Sequence, residues 1–359
     1  MFAVMRHTGL RTDFLQLTRL ARATLSILVI ACAAQFAAAQ DTPRNTPLIS
    51  GGVGFFSSGS SGSTAVYPIA EPLIAAPLGK SILIESRAIL LENFTPNGGG
   101  QPGYSHSHFA SFSYLQEEYL ATPHLTIVGG SFLLPFNTYN DRLSPIWIQS
   151  FQDGPLIAGQ GTMGSGSGLG GMLSGSAAST SKYSISYNAW FSARSGNYYF
   201  NSQRSSGGRA YLYLPESRLE IGASYDRRLQ QPQENFFGAH AWWEPKDTGF
   251  RLRSEFGRGQ HAQGYWIEAD WRTLAFGGPE RWTGRFEPVF RMQQTFRIDK
   301  LANDSVPSVN TERTDLGLDY NLPHNTRILT SYARQFSSSG GVNVWETGIV
   351  YRFLFPIWK

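Results

Sequence analysis

The strand that closes the chain constrains its fold more than any other segment. Across Trp345–Phe353, the side chains of Trp345, Thr347, Ile349, Tyr351 and Phe353 fall on one side of a two-residue repeat. Glu346, Gly348, Val350 and Arg352 fall on the other. One aromatic, apolar face and one mostly polar face suit a wall between lipid and water. The edge of a soluble sandwich would also alternate, so the other segments decide between the two.

The first 39 residues read as a leader for export. Arg6, Arg11, Arg19 and Arg22 face a single acid, Asp13. An apolar run from Ala23 to Ile30 follows, and Ala37-Ala38-Ala39 supplies a small-residue cleavage site before Gln40. Val29-Ile30-Ala31-Cys32 offers a competing lipoprotein box. Cys32 is the single cysteine. Cleavage after Ala39 would leave a mature chain with neither disulfides nor thiolate chemistry.

Loss of that leader also removes most of the positive charge, and the remainder has a net charge of about +1. No nucleic-acid footprint survives. Past residue 39 no apolar run approaches the roughly 18–20 residues of a membrane helix. Aromatic residues nonetheless make up 14% of the chain, and 38 of its 359 residues are glycine. Short aromatic strands joined by glycine turns point to an all-β fold. Such a chain can cross a membrane as a closed barrel, because closure satisfies every backbone hydrogen bond.

Alternation recurs throughout. Tyr183, Ile185, Tyr187, Ala189 and Phe191 share a face in Lys182–Arg194, and Leu219, Ile221, Ala223 and Tyr225 do so in Arg218–Arg228. Phe250–Gly257, Tyr265–Arg272, Arg285–Arg297 and Thr314–Tyr320 behave alike. Long polar connections, near 94–107, 135–166, 195–207, 229–235 and 298–311, mostly alternate with short turns such as Leu214-Pro-Glu-Ser217. Residues 275–283 are longer than that scheme favours, and 258–263 shorter. The spacing gives fourteen strands from residue 81 to 353. A hairpin over 50–57 and 65–74 would make sixteen, the preferred count. Pro68 and Pro72 weaken its second arm, so 40–80 could instead be a periplasmic lead-in. Pro356 is expected to stop the last strand, leaving 354–359 as a short tail.

Candidate chemistry is sparse. Gly166-Ser-Gly168-Leu-Gly170-Gly171 matches a dinucleotide fingerprint by letters, but it lies in a Gly/Ser-rich stretch without a βαβ frame. His106 and His108 are spaced as metal ligands but lack a nearby third. No Ser–His pair stands at a recognisable spacing. No catalytic residue, metal or cofactor is therefore expected.

Two segments resemble known families. Gly348, Tyr351 and Phe353 match the C-terminal insertion signal of bacterial outer-membrane barrels, which implies the barrel assembly machinery as a partner. Gly130-Ser-Phe132-Leu-Leu-Pro135-Phe136, with Asn140-Asp141-Arg142-Leu-Ser-Pro145-Ile-Trp147 after it, resembles the phosphate-selective porin O/P family. There the equivalent strand end leads into a long loop folded into the pore. That resemblance implies a constriction at Asp141, Arg142, Trp147 and Asp153. It does not bring phosphate selectivity, which in that family uses a ladder of lysines and arginines. Beyond residue 39 this chain has only Lys80, Lys182, Lys246, Lys300 and Lys359.

Parity assigns the lumen Glu85, Arg87, Arg218, Glu220, Arg251, Arg253, Glu268, Arg272 and Arg291 as pore-lining residues. The wider set of inward charges balances in sign, so ion selectivity should be weak. Leu219, Ile221, Tyr225, Leu252, Tyr265 and Ile267 should face lipid and Ser224 the lumen, where Arg in its place should be nearly free. The sequence thus describes an all-β transmembrane antiparallel barrel of fourteen to sixteen strands over residues 40–359. The expected function is passive diffusion of small hydrophilic solutes or ions across the outer membrane, without a reaction. Outer-membrane lipid and small solutes are the expected partners, with a homotrimer as one possible assembly. The alternative is a scaffold sheathing a partner such as a multihaem cytochrome. Because no C-x-x-C-H motif is present, that haem would have to come from elsewhere.

Overall fold

The computed structural model describes residues 46–97, 103–158, 163–200, 202–230, 233–278, 280–299 and 304–356. The expected leader over 1–39 lies outside them, as do residues 357–359 of the expected tail. Among the described residues the strands are β1 (Leu48–Ser60), β2 (Ser63–Leu78), β3 (Ile82–Pro96), β4 (Tyr104–Thr122), β5 (Leu125–Leu133), β6 (Ser167–Ser179), β7 (Ser184–Ala193) and β8 (Ser205–Leu214). They continue as β9 (Leu219–Arg228), β10 (Glu234–Trp243), β11 (Phe250–Arg258), β12 (Ala262–Trp271), β13 (Phe286–Arg297), β14 (Thr311–Leu322), β15 (Thr326–Ser337) and β16 (Gly340–Pro356). Each pairs antiparallel with its sequence neighbours, and β16 returns to β1, closing a barrel.

The early hairpin is wall, so 48–78 is not a lead-in. Its prolines are tolerated through the ladder they interrupt. β2 pairs continuously with β1, but its register with β3 skips Tyr67–Pro68 and Glu71–Pro72. A residue without an N–H can sit in a sheet where that bond is already absent. The far end also differs from expectation. Pro356 does not stop β16 at Phe353; the strand runs on to Pro356, which lies opposite Leu48. The missing donor costs little at a strand's last residue.

The seam between β1 and β16 explains two residues of the terminal pattern. Phe353 lies opposite Gly51. A Cβ at Gly51 would come within 2.9 Å of that ring, and the glycine has φ +146°, which other residues rarely adopt. Gly348 likewise leaves room for the Phe56 ring on β1.

The two rims are unequal. Connections on one rim include 97–103, 134–166, 194–204 and 298–310, whereas those on the other are mostly two to six residues. Residues 272–285 are the exception on the short-turn rim, and 259–261 are short on the long-loop rim. Outward positions are apolar and exposed, with Ile221, Tyr225, Phe237, Leu316 and Ile349 among them. Rings contact one another near both rims, Tyr225–Phe237 and Tyr332–Trp345 toward the long loops and Trp243–Phe250 toward the short turns. Inward positions carry buried charge: Glu220, Arg253, Glu255, Glu268, Arg291 and Asp315. Polar inside and apolar outside is the inverse of a soluble barrel and suits a bilayer.

Candidate functional site: a loop across the lumen

The connection from β5 to β6, residues 134–166, folds inward rather than over the rim. Apolar residues in it cannot face lipid from inside a closed wall, so they bury against one another and against the wall. Phe136, Leu143, Ile157 and Met163 join Phe236, Ala262, Trp266 and Val306 in one buried cluster. Ile146 joins Phe56, Leu329 and Val350 in a second, with Trp147 packed beside it.

Polar contacts pin the loop between these clusters. Glu255 on β11 accepts from Thr138 N and Oγ1, both at 2.6 Å, and from Tyr139 N at 2.7 Å. Its other oxygen accepts from Trp266 Nε1 at 3.1 Å. A buried carboxylate so surrounded has its charge met by hydrogen bonds rather than by water. Asn140 Nδ2 donates to Leu134 O and Gly166 O, both at 2.8 Å, clamping the two ends of the loop together. Residues Tyr139–Leu143 form one π-helical turn, which presents neighbouring charges to the wall.

Asp141 takes both arms of Arg209 on β8, at 2.8 and 3.1 Å. Arg142 pairs with Glu220 on β9 and lies 4.5 Å from the Trp242 ring. His240 Nε2 sits 3.3 Å from the same Glu220 oxygen. The chain then crosses the lumen. Ser144 accepts from Arg87 on β3 at 3.0 Å, and Ile146 N donates to Glu71 on β2 at 3.1 Å. Gln149 O accepts from Arg327 on β15, and Ser150 Oγ from Arg253 on β11 at 3.2 Å. Asp153 meets Arg313 on β14 at 2.8 Å, and its carbonyl accepts from Arg291 on β13 at 2.9 Å.

Inward charges of the second half are paired with one another, within a strand or across one or two strands. Arg251 meets Asp270 at 2.8 Å and Glu287 at 3.4 Å. Arg253 meets Glu268, and Arg291 meets Asp315 at 3.3 Å. Arg313 meets the same Asp315 at 2.7 Å, and Arg327 lies 3.6 Å from Asp319. Such a belt neutralises much of its own field.

Among the expected pore-lining residues, Arg87, Glu220, Arg251, Arg253, Glu268 and Arg291 point inward, and Glu85 lies on the same face of β3 as Arg87. Arg218 does not line the lumen. It is exposed in the turn before β9 with φ +52°, where strand parity no longer applies. Arg272 lies one residue past β12, exposed at the mouth, and reaches Glu287 from there at 3.3 Å. Trp147 packs against the wall, 2.8 Å from where a Cβ on Gly52 would stand, and is not an exposed aperture ring. Ser224 faces the lumen as expected but accepts from Asn137 N at 3.0 Å and is buried. An arginine there would displace the loop, so the substitution expected to be nearly free is not.

Sequence reasoning missed Arg209, Arg313 and Arg327. Arg209 shares its face with Tyr211, over whose ring it lies, so β8 carries aromatic residues on the lumen side and its alternation looks inverted. Arg313 stands one residue before the stretch whose alternation was legible, and Arg327 is only the second residue of β15 after a turn.

No family model and no curated protein matches the sequence. Solved structures do match. A loop L8 deletion mutant of OmpT, an outer membrane protein of Vibrio cholerae, is 8% identical with a TM-score of 0.58, covering 86% of this chain and 99% of that one. Salmonella typhi OmpF in complex with daunomycin is 11% identical at 0.58, covering 86% and 98%. The anion-selective porin from Comamonas acidovorans is 11% identical at 0.51, covering 86% and 99%. At these identities the likeness is one of architecture, and the architecture is that of a sixteen-stranded porin barrel.

Proposed function

We propose that this barrel stands in the outer membrane as a narrow, passive channel for small hydrophilic solutes or ions, with weak charge selectivity and no reaction. The observation that carries the reading is the inward loop, held to the wall by Asp141–Arg209, Arg142–Glu220 and Asp153–Arg313. A loop fixed inside a polar barrel sets the width of any aqueous path. Asp141, Arg142 and Asp153 are the constriction residues in this reading, and Trp147 is the apolar peg that seats the loop. Paired charges of both signs support weak selectivity. The scarcity of lysine argues against the phosphate selectivity of the O/P family that the loop's sequence resembles.

Export through a leader over 1–39, insertion by the barrel assembly machinery through Gly348–Phe353, and assembly as a homotrimer complete the proposal. The porin fold supports the location. The scaffold reading has less support, because the chain's own loop occupies space that a sheathed partner would need. Conductance of the pure protein in planar bilayers tests the proposal. Discrete small conductance steps with near-equal permeability to both ion signs are expected, and a silent bilayer containing folded protein would overturn it.

A further inference from the structure

Residues 272–285, between β12 and β13, are out of place on the short-turn rim, and their side chains suggest why. The segment is braced from within. Two 3-10 turns, Thr273–Phe276 and Trp282–Arg285, face each other. Thr273 Oγ1 donates to Thr283 O at 2.6 Å and to Phe286 O at 3.0 Å, and Thr283 Oγ1 returns a bond to Phe276 O at 3.2 Å. On this braced platform Leu274, Phe276 and Trp282 are 42%, 60% and 67% exposed. One exposed apolar side chain is ordinary, but three on a rigid projection mark a surface that is normally covered.

The rings themselves indicate what covers it. Phe276 packs edge-on against Trp271, centroids 5.4 Å apart, and Trp282 against Phe286 at 6.0 Å. Phe286 in turn contacts Tyr320 at 4.9 Å. Trp271, Phe286 and Tyr320 are outward residues of three consecutive strands. The projection therefore extends the lipid-facing aromatic belt and does not turn toward the lumen. Arg281 is exposed in the same segment, with Glu280 its one acid, whereas Arg272 turns back to Glu287. Aromatic rings with an arginine beside them fit the boundary between acyl chains and phosphates.

We propose that the paired turns Thr273–Phe276 and Trp282–Arg285 form a membrane-interface anchor, their rings seated among phospholipid headgroups on the short-turn side and Arg281 at the phosphates. This rests on the barrel standing in a bilayer but not on its conducting. The test uses the full chain with Cys32→Ser and Trp282→Cys carrying a bimane label, folded into phosphatidylcholine–phosphatidylglycerol vesicles. A second label at Leu318→Cys reports the outer wall. The label at 282 should lose most of its emission to lipids brominated near the headgroup and resist aqueous iodide, while the label at 318 is quenched by bromolipid alone. Should the 282 variant fail to fold, Leu274→Cys gives the same reading. Quenching of 282 by iodide but not bromolipid, with 318 still quenched by lipid, overturns the anchor and leaves the surface for a soluble partner. Neither label responding to lipid would overturn the membrane reading, and the anchor with it.

Discussion

Arg87 and Arg253 stand eight strands apart in a barrel of sixteen, on opposite walls, yet both hydrogen-bond to the same loop within six residues, at Ser144 and Ser150. Six residues reach at most about 20 Å. Each arginine supplies part of the remaining span, and both are almost wholly buried in doing so. The loop does not lie along one wall; it crosses the lumen. That geometry supplies the first two predictions.

Arg142→Glu should set two carboxylates together at Glu220, detach this part of the loop and raise single-channel conductance with a shift toward cations. The reversed pair, Arg142→Glu with Glu220→Arg, should restore the conductance in large part. Thermal unfolding of the four chains should give a coupling of about 1–3 kcal/mol. Additive effects would show that this ion pair does not hold the loop.

Deleting residues 139–152 removes the crossing itself and leaves a shortened link between β5 and β6. Conductance should rise and larger sugars should enter in liposome-swelling assays. An unchanged size limit would place the aperture elsewhere in the barrel.

Ile221 is exposed on the outer face of β9, and an arginine there should cost about 2–4 kcal/mol if the site lies near mid-bilayer. Folding titrations in lipid vesicles measure that cost. A cost near zero would mean that the outer face of β9 does not stand in lipid.

Phe353→Ala removes the ring lying over Gly51 at the seam and the last aromatic of the assembly pattern. Export should continue while heat-modifiable barrel disappears from the outer membrane. Normal amounts of folded barrel would refute the role given to this residue.

The strands were legible because a barrel wall imposes a two-residue period on every segment, and the inward set followed wherever that period was clean. It failed at Arg218 and Arg272, which lie beyond strand ends, and at Arg209, where tyrosines share the lumen face. The loop's inward fold could be expected from Gly130–Phe136 only through resemblance. Which walls it would meet could not be read at all. Pairings such as Arg142–Glu220 and Asp153–Arg313 join residues 78 and 160 positions apart, and no local pattern encodes them. Pro68 and Pro72 misled in the other direction, because a broken ladder on one side of β2 is invisible in a single strand's sequence.

The cluster formed by Ile146 with Phe56, Leu329 and Val350 bridges the seam, since those wall residues come from β1, β15 and β16. Passage and durability therefore compete for the same atoms in this molecule. A mutation that thins the loop to ease transport also withdraws mass from the contact that joins the first strand to the last. Ile146→Ala would cost about 2–5 kcal/mol by the usual penalty for a buried large-to-small change. Selection for faster uptake would then have to act on the mouth and the loop's charges, because any widening at this contact weakens the closure of the wall.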